Sequence, residues 1–387
     1  MVSTWRGNVH TSLATWSPHE GWSKDLRTVP ARPGSTVALA FSDPTVDTSE
    51  ALQQLRAQVP ATVIGCSTAG QILGPRVDPA PLVVAITAFD TARVVGACTP
   101  ADGRTAEDVG AVVGRELTSA AHGEHIAGVM VFAGGLTING SALVNGLLRH
   151  LPPGTPVSGG LAADGPRFER TWVHFDGHTG EDCVAAFAVL GQAVSFGHGS
   201  QGGWDGFGPR RTITASEGNV LYELDGQPAL ALYKQYLGDR ADELPSAALL
   251  FPLTVWSENA SSGLVRTVLS VDEQTQSMTF AGDVPQGWSA RLMWTSLERL
   301  TEGATEAAQA CHDDPAQLAV AVSCVGRRLV MGARAEEEVE AVLDVLGRSA
   351  PMIGFYSYGE IAPKDGLCSL HNQTMTITTI SEQIPAP

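Results

Sequence analysis

The sequence has no CxxC pair and no cysteine or histidine spacing that would cage a metal ion; its six cysteines stand singly. That usage fits a reducing compartment in which thiols stay free. No apolar run nears the roughly 20 residues needed to cross a bilayer; the most apolar stretches are as short as 129–133 and 185–190. The chain opens Met1-Val2-Ser3-Thr4-Trp5-Arg6, without an apolar segment behind a basic start, so no secretory signal is read and a cytoplasmic location is expected. Basic residues are scarce: 24 Lys and Arg against 41 Asp and Glu leave a net charge of −17. Such a surface repels phosphate backbones and anionic lipid, so neither a nucleic acid nor a membrane partner is expected. A phosphate loop is absent too, because no Gly-Lys-Ser/Thr occurs. What remains is a globular composition, 43% hydrophobic over 387 residues, long enough for two or three ordinary domains.

An internal repeat organises the chain. Residues 35–72 read STVALAFSD, SEALQQLRAQV, PATVIGCSTAGQI; residues 126–165 read IAGVMVFAGG, GSALVNGLLRHL, PPGTPVSGGLAADG; residues 318–363 read LAVAVSCVG, EEEVEAVLDVLG, APMIGFYSYGEIAP. Each segment opens with a short β-branched run, the mark of a buried strand. A helix follows, shown by Leu52, Leu55 and Val59 in the first segment and by Val339, Val342, Leu343 and Leu346 in the third. A proline then stops the helix, and a second apolar strand runs into glycines. Further strands are expected after each glycine motif: 81–87 paired with 92–98, a set formed by 171–175, 183–190 and 193–196, and a last strand over 368–380. Helices over 105–121 and 296–311 lead into the second and third segments.

These elements predict an α+β fold with mixed β-sheets backed by helices. The main division is placed near residue 230. Residues 1–230 then hold two repeat units behind an N-terminal extension, and residues 231–387 hold the third.

At the glycine motifs the chain resembles a known family. Its signatures are Gly65-Cys66-Ser67-Thr68-Ala69-Gly70, Gly159-Gly160-Leu161-Ala162-Ala163-Asp164, and a middle block from Thr214 through Gly218-Asn219-Val220 to Pro228-Ala229. Cys324-Val325-Gly326-Arg327, Ile353 to Glu360 and Leu370-His371-Asn372-Gln373-Thr374 complete the order. Over about residues 35–380 the sequence is similar to the FIST family (F-box and intracellular signal transduction), as a FIST N and a FIST C domain. The resemblance implies a sensory protein that binds a small ligand such as an amino acid, not an enzyme. It also implies signalling to a separate output protein, since no kinase, cyclase or receptor segment is attached. Some relatives look like haem-based nitric oxide sensors, so haem is an alternative cofactor where none is otherwise expected. One departure is Gln71, where the family usually shows Glu.

The ligand site is expected in the third unit. Tyr356 and Tyr358 alternate at a strand end, and Glu360 follows Gly359, so two phenols and a carboxylate are placed to hold an ammonium group. His371 and Asn372 put polar groups into a β-patterned stretch; if buried they need partners. Arg327, beside Cys324 at the end of LAVAVSC, is a candidate carboxylate clamp. The plain alternatives are core tyrosines, a hydrogen-bonded strand edge and a solvated arginine.

The glycine motifs read as tight turns of small residues that face the ligand, with Asp164 as a backbone cap. A hydrolase or transferase using Cys66 or Ser67 is the enzymatic alternative, although G-C-S-T-A-G lacks the G-x-S-x-G elbow spacing. His174, Asp176 and His178 are spaced as a metal triad, but Asp176-Gly177 signals a hairpin turn that breaks their shared face. His198, in the glycine-rich stretch His198 to Trp204 read as a surface loop, is the conceivable haem ligand.

Overall fold

The computed structural model describes residues 9–258, 263–311, 315–364 and 366–383. It is α+β, with mixed sheets backed by helices. Each repeat builds the same piece of sheet. In the first unit Thr36–Ser42 runs parallel to Thr62–Ser67, with α1 (Ser49–Gln58) as the crossover that a parallel pair requires. Leu82–Ala88 returns antiparallel beside Thr36–Ser42, and His10–Ser17 lies outside it. Leu82–Ala88 is buried throughout, which is why it reads as a continuous apolar run without alternation.

The second unit repeats this arrangement. Arg93–Pro100 is its outer strand and α2 (Ala106–Ala120) leads inward. Ile126–Ala133 runs parallel to Val157–Leu161 through α3 (Gly140–Leu148), and Cys183–Leu190 returns antiparallel between the outer strand and Ile126–Ala133. Thr105 Oγ1 caps α2 and Asn139 Oδ1 caps α3, satisfying N–H groups that a helix start leaves free.

The third unit opens with Val194–Gln201. An inserted sheet then intervenes, spanning Asp205–Glu217 to Ser289–Trp294 and carrying α4 (Ala229–Leu237). After α5 (Leu297–Gln309), Leu318–Cys324 runs parallel to Met352–Ser357 through α6 (Val325–Met331) and α7 (Glu336–Leu346), and Met375–Glu382 returns antiparallel. Strands from both sides of residue 230 share three of the four sheets.

The units are tied by a cyclic exchange. Each sends the hairpin after its glycine motif onto the free edge of another unit's parallel pair. Gln71–Leu73 and Arg76–Asp78 join the third sheet, Val173–Phe175 and His178–Gly180 join the first, and Gly359–Lys364 and Leu367–His371 join the second. The expected pairing of 81–87 with 92–98 is therefore corrected: those strands lie in different sheets. Between them the chain turns a corner where the Glu382 carboxylate accepts from the amides of Asp90, Thr91 and Ala92. The set 171–175, 183–190 and 193–196 likewise divides among three sheets, and 368–380 is two strands of two sheets joined at Asn372–Thr374.

Where the three sheets meet, Phe41, Phe132 and Phe355 pack with ring centroids 4.6 to 5.9 Å apart. The first two stand on the first strand of their units. In the third unit the ring moves to the second strand, where Phe355 faces Val322; the matching cross-strand partner of Phe132 is Gly160. Volume is traded between strands, so the junction stays filled.

One glycine recurs at an equivalent register in all three units. Gly65, Gly159 and Gly354 lie against Ala40, Val131 and Ala321, and a Cβ on any of them would overlap that residue's carbonyl oxygen. Gly159 also holds φ +139°, a region closed to side chains. Gly159→Ala should therefore lower unfolding free energy by about 3 kcal/mol, read from urea denaturation. A variant as stable as the parent would show that the sheet relaxes there.

Candidate functional site

The exchange brings the glycine ends of the units together. Ala69 N donates to Tyr356 O and Tyr356 N to Gly70 O, both at 2.9 Å, joining the first motif to the third. Ala163 N donates to Ser67 O at 3.0 Å and Tyr358 N to Leu161 O at 3.3 Å, bringing in the second. Above these contacts opens a cleft of about 580 Å³, lined from all three units: Asp43, Thr68, Gln71 and Asp78 from the first, Asp164 and Arg167 from the second, Arg328 and Leu329 from the third. It is within the size range of small-molecule sites.

Two donors stand out in its lining. Arg328 lies 5.3 Å over the Tyr356 ring, and its Nη1 donates to Ala69 O, so the guanidinium plane is fixed at one edge. Gly70, at φ +137°, gives it room; a Cβ there would overlap the guanidinium. Gln71 is only 4% exposed, yet its Nε2 has no hydrogen-bond partner among the described residues. A buried donor left so carries a desolvation cost of about 1–3 kcal/mol. Asp164 differs, being saturated as expected of a cap: Oδ1 accepts from Phe168 N and Tyr358 OH, and Oδ2 from Glu169 N and Arg170 N.

A second cleft, of about 320 Å³, separates the third unit from the inserted sheet. Lys364, Arg299, Glu302, His371 and Asn372 line it. Burial lowers the His371 pKa to about 4, and its Nε2 lies 3.1 Å from Ala362 O.

Of the residues picked out from sequence, His371 and Asn372 reach a cleft, though not the central one. Asn372 is a brace: Nδ2 donates to Tyr358 O, and Oδ1 accepts from Thr267 N. Tyr356 and Tyr358 lie beneath the central cleft, buried against Arg328 and Asp164, which face it. They do not share a strand face, because Met352–Ser357 ends before Tyr358 and the chain crosses to another sheet. Glu360 is sealed; its oxygens accept from Ser357 Oγ at 2.6 Å and from Thr374 N and Oγ1 at 3.1 Å. Burial raises its pKa to about 8. Asn372–Thr374 is a corner with Gln373 at φ +61°, so the β-patterned stretch that holds His371 and Asn372 is broken there.

Arg327 is neither the clamp nor the solvated cap. It is fully buried, 2.7 Å from Glu338, with Nη2 donating to Leu300 O at 2.8 Å and Nη1 to Gly202 O. Cys324 is buried beside it, and burial pushes its thiol pKa up. His198 sits in the strand Val194–Gln201, opposite Thr378, not in a loop, and lines neither cleft. Asp176 (φ +44°) and Gly177 (φ +91°) form the hairpin turn that their sequence signals, and Asp176 Oδ1 accepts from Val63 N. Cys66 is buried with its thiol pKa raised by desolvation, and Ser67 Oγ accepts from Trp172 N at 3.0 Å.

Sequence reasoning missed Arg328, Asp43 and Asp78, and saw Gln71 only as a departure. The available signal was the repeat: Gln71 stands six residues after Gly65, as Glu360 stands six after Gly354.

The sequence matches the FIST N domain over residues 36–227 and the FIST C domain over residues 229–363. An uncharacterized protein of Methanocaldococcus jannaschii is 26% identical over 249 residues, 56% of this chain and 47% of that one. An uncharacterized protein of Mycobacterium tuberculosis is 28% identical over 250 residues, 60% of this chain and 63% of that one. The match thus spans less than two thirds of either relative. Among solved structures, a chorismatase is similar at TM-score 0.37 and 11% identity, over 96% of this chain and 99% of that one.

Proposed function

Because the chain belongs to the FIST family, whose domains are sensory domains of signal transduction, we propose that it is a small-molecule sensor with its ligand in the central cleft. The ligand is a small polar metabolite such as an amino acid, and the signal passes to a separate output protein. One observation carries this reading: three glycine turns from three exchanged units bond to one another beneath one cleft of about 580 Å³, and each unit lends polar groups to its lining. A ligand there touches every unit at once, so binding energy bears on how the units sit against each other.

Binding without catalysis is supported by the groups beside the cleft. The thiol of Cys66 is held protonated by burial, and the Ser67 hydroxyl oxygen takes a backbone N–H. Neither is poised as a nucleophile. The net charge of −17 favours a small-molecule ligand over a nucleic acid. Among the described residues no helix is long and apolar enough to cross a membrane.

A thermal-shift screen of amino acids and related polar metabolites tests the reading. At a hundredfold excess over its dissociation constant a ligand adds about 2.7 kcal/mol, about 3 °C in Tm for a chain of this length. The shift should vanish when the cleft is narrowed by enlarging the exposed Leu329 of its lining, Leu329→Trp. A well-folded protein that no compound shifts, or a shift that Leu329→Trp leaves intact, removes the central cleft as the sensory site.

A further inference from the structure

The molecule contains its own control for the unpartnered amide of Gln71. In the third unit the equivalent position is Glu360, which also opens the exchanged hairpin. There the polar group is enclosed and fully used, taking Ser357 Oγ, Thr374 N and Thr374 Oγ1. In the first unit the register of Thr374 falls on Pro81, whose carbonyl accepts from Asp43 N as that of Thr374 accepts from Cys324 N, but which has no N–H or hydroxyl to offer. Gln71 lines the central cleft, and its Nε2 is left without an acceptor among the described residues. The fold supplies a partner at one copy of the position and a cavity at the other. Buried donors are paired in native proteins, and the exceptions call for a cause.

Next to Gln71 in the same lining, Arg328 presents a guanidinium pinned by the Ala69 carbonyl and backed by Tyr356. Nη1 is engaged, whereas Nε and Nη2 carry no bond to the described residues. A guanidinium edge beside an amide N–H₂ matches the two oxygens of a carboxylate, which accepts and cannot donate when ionised.

We propose that the central cleft recognises its ligand by a carboxylate seated between Arg328 and Gln71, and that Gln71 sets this preference for an anion. The inference rests on the reading of the cleft as the sensory site and names the chemistry that site selects. Glutamate at position 71 would place a negative charge where the carboxylate sits. Gln71 thus tunes the site without a change in its shape.

The experiment is calorimetric titration of the full chain with L-alanine and succinate, and with L-alaninamide and succinamide, which lack the carboxylates. Wild-type protein should bind an acid and not its amide. Gln71→Ala should weaken that binding about tenfold, the loss of one charge-assisted hydrogen bond. Gln71→Glu should weaken it about a hundredfold by adding repulsion. Unchanged Tm values for both variants show that the fold is kept. If Gln71→Glu binds the acid as wild type does, the proposal is overturned. If wild type takes the amides as readily as the acids, the cleft remains a ligand site and the carboxylate assignment falls. If none of the four binds, both fall together.

Discussion

Arg327→Met should cost the protein about 4 kcal/mol of stability, and Arg327→Met with Glu338→Leu should recover about half of that loss. Arg327 and Glu338 are both sealed from solvent, with Arg327 Nη2 and Nε at 2.7 and 2.9 Å from Glu338 Oε2. Ser323 Oγ supports the other carboxylate oxygen at 2.9 Å. The arginine reaches further, to the carbonyls of Leu300 on α5 and Gly202 beyond Val194–Gln201. One side chain thus holds α5, α6, α7 and the approach to the inserted sheet. Removing it leaves a carboxylate buried without its counter-charge, which typically costs 3–5 kcal/mol. Replacing both partners removes that penalty but leaves the two carbonyls unpaired, hence the partial recovery. In a chain of 387 residues a 4 kcal/mol loss lowers Tm by about 5 °C. A clamp on a ligand would behave otherwise: Arg327→Met would then spare Tm and abolish binding. A double variant no more stable than the single one would also refute the ion-pair account.

Arg327 and Arg328 show why the fold was more legible than the site. Consecutive helical residues point about 100° apart. That rotation sends Arg327 into the core and Arg328 over Tyr356 at the cleft, and nothing in Val325-Gly326-Arg327-Arg328 says which goes where. The repeat was readable because strand runs, helix periodicity and stopping prolines are local signals. Strand exchange was not readable, since a strand's partner is fixed by non-local packing. Leu82–Ala88 and Arg93–Pro100 look like a hairpin in sequence, yet the glutamate that turns the chain between them is Glu382. The same limit moved the tyrosines. Tyr356 and Tyr358 alternate as strand neighbours do, but the chain leaves its sheet between them. The glycine turns of the first two units line the central cleft and that of the third lies beneath it, and their register in three sheets explains their convergence.

Glu360 carries the second large effect, and it is one of pH. Burial raises its carboxyl pKa from 4.5 to about 8, against the opposing pull of Ser357, Thr374 and, at longer range, Arg327. Between these values the folded protein keeps a proton that the unfolded chain releases. Stability from this group is whole below pH 4.5 and drains away as pH rises toward 8, by about 5 kcal/mol in all. His371 and His174 act at the other end. Burial lowers each from 6.5 to about 4, so their contribution is present above pH 6.5 and is lost as pH falls toward 4. The two windows overlap between pH 4.5 and 6.5, where two histidines outweigh one carboxyl, so the stability profile should peak near pH 6.5, with the alkaline slope belonging to Glu360. Glu360→Gln separates them. The amide oxygen still accepts from Thr374 N and Oγ1, and its N–H₂ donates to Ser357 Oγ, so at pH 5 the variant should lie within about 1 kcal/mol of wild type. At pH 9 wild type holds an ion in an apolar enclosure and the variant does not, and the variant should be the more stable by about 3 kcal/mol. Urea unfolding at both pH values reads the difference directly. Equal losses from pH 5 to pH 9 in the two proteins would mean that Glu360 is ionised in the fold at neutral pH and that the alkaline slope has another source.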